Sequence, residues 1–223
     1  MPIMQPRRSR HTQLPRQILA TCAVGAFFLA SGSLLLSSEA RAANCADLAR
    51  LALPNATFTK VETIDAREWH SPQTDLSRIM TAPGMNLAGH PVQAANPAFC
   101  RVAMTLHPSS DSAIQTEIWL PLQGWNGKLL GVGNFGWAGS LMYDGMVTGL
   151  GEGYAVASTD TGHDSSTPEG QGGRFTLGHP EKLVDYAYRA DHLLTAMPKQ
   201  LVRPFYANAA SHSYWFGCSL AGL

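Results

Sequence analysis

The stretch Phe216-Gly217-Cys218-Ser219-Leu220-Ala221-Gly222, close to the end of this 223-residue chain, decides the fold. The segment 213–217 is typical of a β-strand, and it runs directly into a Gly-x-Ser sequence. A strand followed by Gly-x-Ser is typical of a nucleophile elbow, a strained strand-to-helix turn that presents a serine hydroxyl to a pocket. The pattern therefore predicts that Ser219 is a nucleophile.

Strand and helix patterns alternate upstream of this serine. Two alternating segments, Phe99–Leu106 and 114–120, flank a turn and predict a β-hairpin. The later segments predict, in order, a short strand over Lys128–Val132, a glycine-rich loop, a helix over 141–150 and a buried strand over 154–158. A helical segment follows from Pro180 to about Tyr206, and we expect Pro198 to break or kink it. This order is that of an α/β-hydrolase up to its nucleophile, with an N-terminal antiparallel hairpin and a mostly parallel central sheet that ends here at the nucleophile strand.

The glycine-rich loop contains Gly131, Gly133, Gly136 and Gly139. In an α/β-hydrolase the loop at this place supplies half of the oxyanion hole, and the residue after the nucleophile supplies the other half. We therefore expect the backbone N–H groups of Leu220 and Gly136 to hold the carbonyl oxygen that is attacked. By itself such a loop is more often a plain turn, so the prediction depends on its position between a strand and a helix.

The N-terminal segment has the pattern of a secretory signal peptide. An arginine-rich start is followed by an apolar run over 18–36 and the small-x-small sequence Ala40-Arg41-Ala42. We expect cleavage after Ala42, which leaves residues 43–223 as the N-terminal part of one catalytic domain in a secreted or periplasmic protein. The alternative is an uncleaved membrane anchor, but Ser31, Gly32 and Ser33 interrupt the apolar run. We expect no stable membrane insertion after cleavage.

Removal of this leader makes the chain mildly acidic. The full chain has 16 basic and 16 acidic residues, and the part after Ala42 has 11 and 15. No run of basic residues remains, so the sequence gives no indication of nucleic-acid binding. No His or Cys cluster has the spacing of a zinc site, and we expect no cofactor in this chain.

Three cysteines remain after the leader, in a compartment where thiols tend to pair. Cys45 and Cys100 could form a bridge that ties the N-terminal arm to the first core strand. Cys218 would then be left beside the predicted nucleophile. It is either a buried free thiol or the partner of a cysteine beyond Leu223.

Several longer motifs, found in one order along the chain, carry a resemblance to a known family. They are Leu53-Pro54-Asn55-Ala56-Thr57, Phe99-Cys100-Arg101-Val102, Ile118-Trp119-Leu120-Pro121, Gly124-Trp125-Asn126-Gly127-Lys128, Gly131-Val132-Gly133-Asn134, residues 153–163 and 177–182, and Gly217-Cys218-Ser219. Through these motifs the chain resembles the tannase and feruloyl esterase family of secreted α/β-hydrolases, over nearly its whole length after the leader.

The resemblance implies a serine esterase that acts on esters of aromatic acids such as gallate or ferulate. Ser219 matches the family nucleophile, and Cys45 and Cys100 match an N-terminal disulfide. Cys218 matches a cysteine that is bridged to one directly after the catalytic histidine. The family's catalytic acid and histidine, its lid and its structural calcium site all follow the elbow, so the resemblance implies that this chain alone is inactive.

Asp160 and His163 form a tempting catalytic pair, but both precede Ser219. A triad on this fold runs in the order serine, acid, histidine, so we interpret the pair as hydrogen-bond partners that fix a loop. Trp125 and Trp137 are candidates for stacking on an aromatic acyl group. Two alternative functions stay open, a secreted acyltransferase or peptidase on the same scaffold, and a non-catalytic binding module in which Ser219 is only a turn residue.

Overall fold

The computed structural model of the chain describes residues 44–65, 69 and 97–219, where six strands form one mixed sheet. The strands are β1 (Ala56–Ile64), β2 (Phe99–Leu106), β3 (Ile114–Pro121), β4 (Lys128–Val132), β5 (Ala155–Thr159) and β6 (His212–Phe216). Their order across the sheet is β1-β2-β3-β5-β4-β6. The pairs from β1 to β3 and the pair β3–β5 are antiparallel, whereas β4 pairs in parallel with β5 and β6. The predicted α/β class with its N-terminal antiparallel hairpin is confirmed, but within the described residues the sheet is mixed rather than mostly parallel, since two of its five strand pairs are parallel.

The hairpin strand β3 sends its side chains to two different cores because alternate residues of a strand point to opposite faces. Ile118 and Leu120 lie in one apolar cluster, and Trp119 lies in the other. All three side chains are fully buried. The sheet is therefore covered on both faces at this strand, as the α/β architecture requires.

Helices from the two crossover connections cover the two faces. Helix α1 (Tyr143–Gly151) packs its buried residues against the face that carries Trp119. After β5 the chain forms α2 (Pro180–Val184), one π-helical turn (Asp185–Arg189) and α3 (Ala190–Tyr206), and α3 packs on the opposite face. The predicted helices are thus present, and the segment from Pro180 to Tyr206 is helical throughout.

Of the two outcomes predicted for Pro198, a break or a kink, the break does not occur. Pro198 lies inside α3, and the helix continues to Tyr206. Pro198 is buried, and its neighbours on the same helix, Leu194 and Leu201, are in the core. We attribute the continuity to this packing, which offsets the backbone hydrogen bond that a proline cannot donate. The segment changes from α-helix to π-helix over Asp185–Arg189.

The N-terminal arm is tied to the sheet by a disulfide. A 3-10 helix, Cys45–Arg50, begins with a capping box in which Asn44 and Asp47 bond to each other's backbone N–H groups. Cys45 forms a disulfide with Cys100 of β2, across 55 residues of sequence. This pairing, expected from the sequence, is confirmed.

A buried ionic cluster joins β2, β3 and α1. The Glu117 carboxylate, almost wholly buried, accepts hydrogen bonds from the Arg101 guanidinium, the Trp119 indole N–H at 2.9 Å and the Tyr143 hydroxyl at 3.0 Å. Arg101 also pairs at 3.1 Å with Glu62 of β1, which is much more exposed. Each oxygen of the Glu117 carboxylate therefore accepts two donors, so the buried charge is both paired and hydrogen-bonded.

The predicted signal peptide, residues 1–42, lies outside the described residues. None of the helices in the described part of the chain combines the length and the apolar character that crossing a bilayer requires.

Candidate active site

The parallel strands place two loops at one edge of the sheet. β5 and β6 lie on either side of β4, so the connection after β4 leads to one side and the later connection leads to the other. In open α/β sheets such a reversal opens a crevice at the carboxyl ends of the strands, and ligands bind there. The glycine-rich loop follows β4 and Ser219 follows β6, so both lie at the carboxyl ends of neighbouring parallel strands.

Ser219 has an unusual backbone conformation. Its φ is +57°, in the left-handed region that residues with a Cβ seldom adopt, and it lies three residues after the last residue of β6. The serine is exposed. A non-glycine residue held at positive φ directly after a parallel strand has the strain that a nucleophile elbow requires.

The glycine-rich loop is attached to the nucleophile strand. The Gly133 N–H donates to the Phe216 carbonyl at 2.9 Å, and the Ala138 N–H donates to the Phe135 carbonyl at 3.1 Å, which closes a tight turn. Gly136 occupies the second position of this turn with φ +51°, a conformation that glycine adopts at no steric cost. Among the described residues, the backbone N–H groups of 134–137 have no hydrogen-bond acceptor. Backbone N–H groups without a protein acceptor are the kind of donor that an oxyanion hole uses.

Side chains from the neighbouring elements hold the carbonyl groups of this loop. His163 is buried, stacks on Phe175 with 3.7 Å between ring centroids, and donates from Nε2 to the Trp137 carbonyl at 3.1 Å. Burial lowers the pKa of His163, which favours the neutral ring. A Cβ on Gly139 would lie 2.5 Å from the His163 carbonyl oxygen, so the close approach of loop and histidine requires glycine. The prediction that His163 fixes a loop is confirmed.

Asp160 also fixes backbone groups. One of its carboxylate oxygens accepts the Gln115 N–H at 2.9 Å and the Gly162 N–H at 2.8 Å, which ties the end of β5 to β3. The predicted structural role of Asp160 is therefore confirmed. Burial raises the pKa of this carboxyl to about 7, against an ordinary value of 3.8.

This raised pKa makes a prediction about stability. Between pH 4 and pH 7 folded Asp160 retains a proton that the unfolded chain releases, so the free energy of unfolding falls as pH rises through this range. The loss is up to about 4 kcal/mol for a shift of this size. Asp160→Asn keeps an oxygen for both N–H groups, and we expect it to remove most of this decline. Thermal melting of the full-length gene product and of the variant from pH 4 to 8 measures this change in stability with pH.

The control for this prediction is Asp144→Asn, which changes an exposed aspartate in the first turn of α1. Its melting temperatures should follow the wild-type pH profile. A decline of the same size in Asp160→Asn as in the wild type would show that Asp160 does not titrate in this range.

The remaining predicted site residues are Leu220, Cys218, Trp125 and Trp137. Leu220 lies outside the described residues, so its role as an oxyanion donor stays a prediction. The Cys218 thiol is free within the described part of the chain and is exposed, so it is not the buried thiol considered above. Trp125 packs against the core and stacks on Tyr206, whereas Trp137 is 48% exposed.

Sequence reasoning missed Tyr186, which contacts the glycine-rich loop. Its hydroxyl donates to the Gly136 carbonyl, and its ring stacks on the Trp137 indole with 4.8 Å between centroids. Tyr186 comes from the π-turn, 50 residues beyond Gly136 in sequence. No local motif signals this contact.

A general base for Ser219 is not found within 44–65, 69 and 97–219. No histidine in these ranges hydrogen-bonds to the serine hydroxyl. The same ranges hold no group of three or more His, Cys, Asp or Glu residues that could bind a metal ion.

Comparison with known proteins gives matches at the levels of family, sequence and structure. Residues 100–222 match the family described as tannase and feruloyl esterase. An uncharacterised esterase of Xanthomonas campestris pv. campestris is 36% identical over 193 residues, 86% of this chain and 30% of that protein. A probable feruloyl esterase B-2 of Aspergillus flavus is 36% identical over 132 residues, 59% of this chain and 24% of that protein.

Among solved structures, feruloyl esterase B from Aspergillus oryzae matches with a TM-score of 0.64 and 30% identity. The match covers 80% of this chain and 32% of that protein. The chain therefore spans about a third or less of the length of these relatives.

Proposed function

The chain belongs to the tannase and feruloyl esterase family, and from this premise we propose that the protein is a serine esterase that hydrolyses esters of aromatic acids such as ferulate or gallate. One observation carries the proposal. Ser219 is held at φ +57° after β6, beside a loop whose N–H groups are not bonded within the described residues. A strained serine next to free amides is the arrangement that acyl transfer requires.

The reaction would proceed in two steps. A histidine takes the Ser219 proton while the serine Oγ attacks the ester carbonyl carbon, and the developing oxyanion is held by backbone N–H groups, for which we propose Gly136 and Leu220. The alcohol leaves with the proton that the histidine returns. Water then attacks the acyl-enzyme and releases the acid. We propose that the histidine and its acidic partner come from beyond Leu223 in the full-length gene product.

The aromatic preference is supported by the position of Trp137. Its indole is 48% exposed and lies on the loop that follows β4. Tyr186 stacks beneath it with an interplanar angle of 16°, so the ring is held in place and its other face can accept a flat aromatic group. The relatives include a probable feruloyl esterase B-2 and feruloyl esterase B, which agrees with such a substrate.

The test uses the full-length gene product with methyl ferulate, methyl gallate and methyl butyrate as substrates. We expect faster hydrolysis of the aromatic esters, and labelling of Ser219 by a fluorophosphonate probe, located by peptide mass spectrometry. Transfer of the acyl group to an added alcohol in preference to water would instead identify an acyltransferase. A protein that shows neither labelling nor turnover would contradict the proposal and favour the binding module.

We also propose that the protein is secreted or periplasmic. The N-terminal signal-peptide pattern and the disulfide Cys45–Cys100 support an oxidising compartment. N-terminal sequencing of the protein purified from its native host tests this, with Ala43 expected as the first residue. A cell-associated protein that begins at Met1 would contradict it.

A further inference from the structure

The turn Phe135–Ala138 contains a peptide group whose carbonyl is held by a side chain from outside the turn. The hydrogen bond from the Ala138 N–H to the Phe135 carbonyl closes the turn at its ends. Paired turn types that share this closing bond differ mainly by rotation of the middle peptide, here the one between Gly136 and Trp137. Gly136 has no side chain and permits either rotation. The rotated turn would require positive φ at Trp137, which this residue does not have, so the Trp137 backbone favours the observed orientation.

Tyr186 supplies a second restraint on this peptide. Its hydroxyl donates to the Gly136 carbonyl, which is the oxygen of this middle peptide. In a trans peptide the C=O and N–H groups point in opposite directions, so holding the carbonyl towards Tyr186 directs the Trp137 N–H away from it. This N–H has no acceptor among the described residues.

The Tyr186 side chain is itself held in place by the π-turn and its surroundings. Within the π-turn, fully buried Asp185 pairs with Arg189 at 2.9 Å, and Arg189 also pairs with Glu181 of α2 at 2.7 Å. The Tyr186 ring contacts Trp137 face to face and Phe175 edge to face. Single π-turns inside helices occur frequently at functional sites, and this one presents Tyr186 to the loop.

We propose that Tyr186 is a positioning residue: by holding the Gly136 carbonyl, its hydroxyl fixes the backbone of Gly136, whose N–H is the proposed oxyanion donor, and directs the adjacent Trp137 N–H away from Tyr186. Tyr186 does not touch the reacting atoms; it acts through the loop. The inference rests on the proposed function, since it concerns the loop that would bind the oxyanion of the same esterase reaction.

The experiment compares Tyr186→Phe with Tyr188→Phe in the full-length gene product. Tyr188 lies in the same π-turn, is 62% exposed and donates no hydrogen bond within the described residues, so the control removes the same hydroxyl two residues away. Tyr186→Phe keeps the ring stack. We measure kcat per active site titrated with a fluorophosphonate, which counts folded sites alone, together with KM, and inhibition by phenylboronic acid and by ferulic acid.

We expect Tyr186→Phe to lower kcat about tenfold and to weaken inhibition by phenylboronic acid about tenfold, because this inhibitor places an oxygen in the oxyanion position. Both effects are smaller than the loss of rate when a whole oxyanion donor is removed. KM and ferulic acid inhibition should stay within about twofold, because a misaligned peptide affects the transition state more than the ground state. Tyr188→Phe should match the wild type.

An active wild type in which Tyr186→Phe behaves like Tyr188→Phe overturns this inference and leaves the esterase proposal intact. The inference is equally overturned if Tyr186→Phe weakens inhibition by phenylboronic acid and inhibition by ferulic acid by the same factor, since that pattern indicates general disruption of the site. A wild type that neither turns over esters nor binds phenylboronic acid contradicts the esterase function itself.

Discussion

Ser219→Ala in the full-length gene product is expected to lower kcat for methyl ferulate by about 10⁴-fold or more, the loss found when a serine nucleophile is removed. The physical reason is the loss of the acyl-enzyme step, because the oxyanion hole alone supports only residual catalysis. Binding of ferulic acid should persist, since the loop and Trp137 are unchanged. Stopped and steady-state assays of released acid, with isothermal titration of ferulic acid, measure both quantities.

Ser213→Ala provides the matched control on the same strand. Ser213 is an exposed serine of β6, paired in register with Leu129 of β4. Its substitution changes the same chemical group six residues upstream, and kcat should stay within about twofold, as for surface substitutions in general. Equal activity of the wild type and Ser219→Ala would remove the basis for the elbow interpretation, however strained the backbone at Ser219 is.

Glu117→Gln is expected to lower the free energy of unfolding by about 3 to 5 kcal/mol, the typical cost of breaking a buried ion pair. The amide nitrogen of glutamine cannot accept a hydrogen bond, so two of the four donors around Glu117 lose their acceptor. Arg101, whose side chain is 13% exposed, also loses its buried counter-charge. Urea unfolding, followed by tryptophan fluorescence, measures the change because Trp119 lies inside the cluster.

Glu62→Gln tests the same arginine from its exposed side. The Glu62 side chain is 42% exposed, and an ion pair at such a position contributes only about 0 to 1 kcal/mol. The two variants remove the same charge from the same partner, and only the degree of burial differs. A similar loss of stability in both variants would show that the cluster is not stabilised by the buried carboxylate.

The sequence predicted most of the sheet because β2 to β6 have clear apolar patterns. It did not predict β1 (Ala56–Ile64), and the structure shows why. The pairing of β1 with β2 shifts register between Phe58 and Lys60, and the extra residue interrupts the two-residue alternation of exposed and more buried positions. With the period broken and most positions only half-buried, the strand has no clear signal. The sequence feature that does favour a strand here is the number of β-branched residues, which are Thr57, Thr59, Val61, Thr63 and Ile64.

Part of the candidate site could be predicted from the sequence and part could not. Ser219 and the glycine-rich loop could be found from the sequence because their conformations require particular residues at fixed spacing, Gly-x-Ser for the elbow and glycine for φ +51° at Gly136. Tyr186 could not, since its contact with Gly136 depends on how the π-turn is seated against the loop. Interactions set by tertiary packing leave no periodicity in the sequence.

The bridge between Cys45 and Cys100 has a consequence for handling the protein. The peptide bonds between these two residues all lie inside one covalent ring that includes β1. A protease that cuts once there leaves the two pieces linked, so a nicked sample migrates as an intact polypeptide until a reductant opens the ring. Electrophoresis without reductant would therefore overstate the integrity of a preparation.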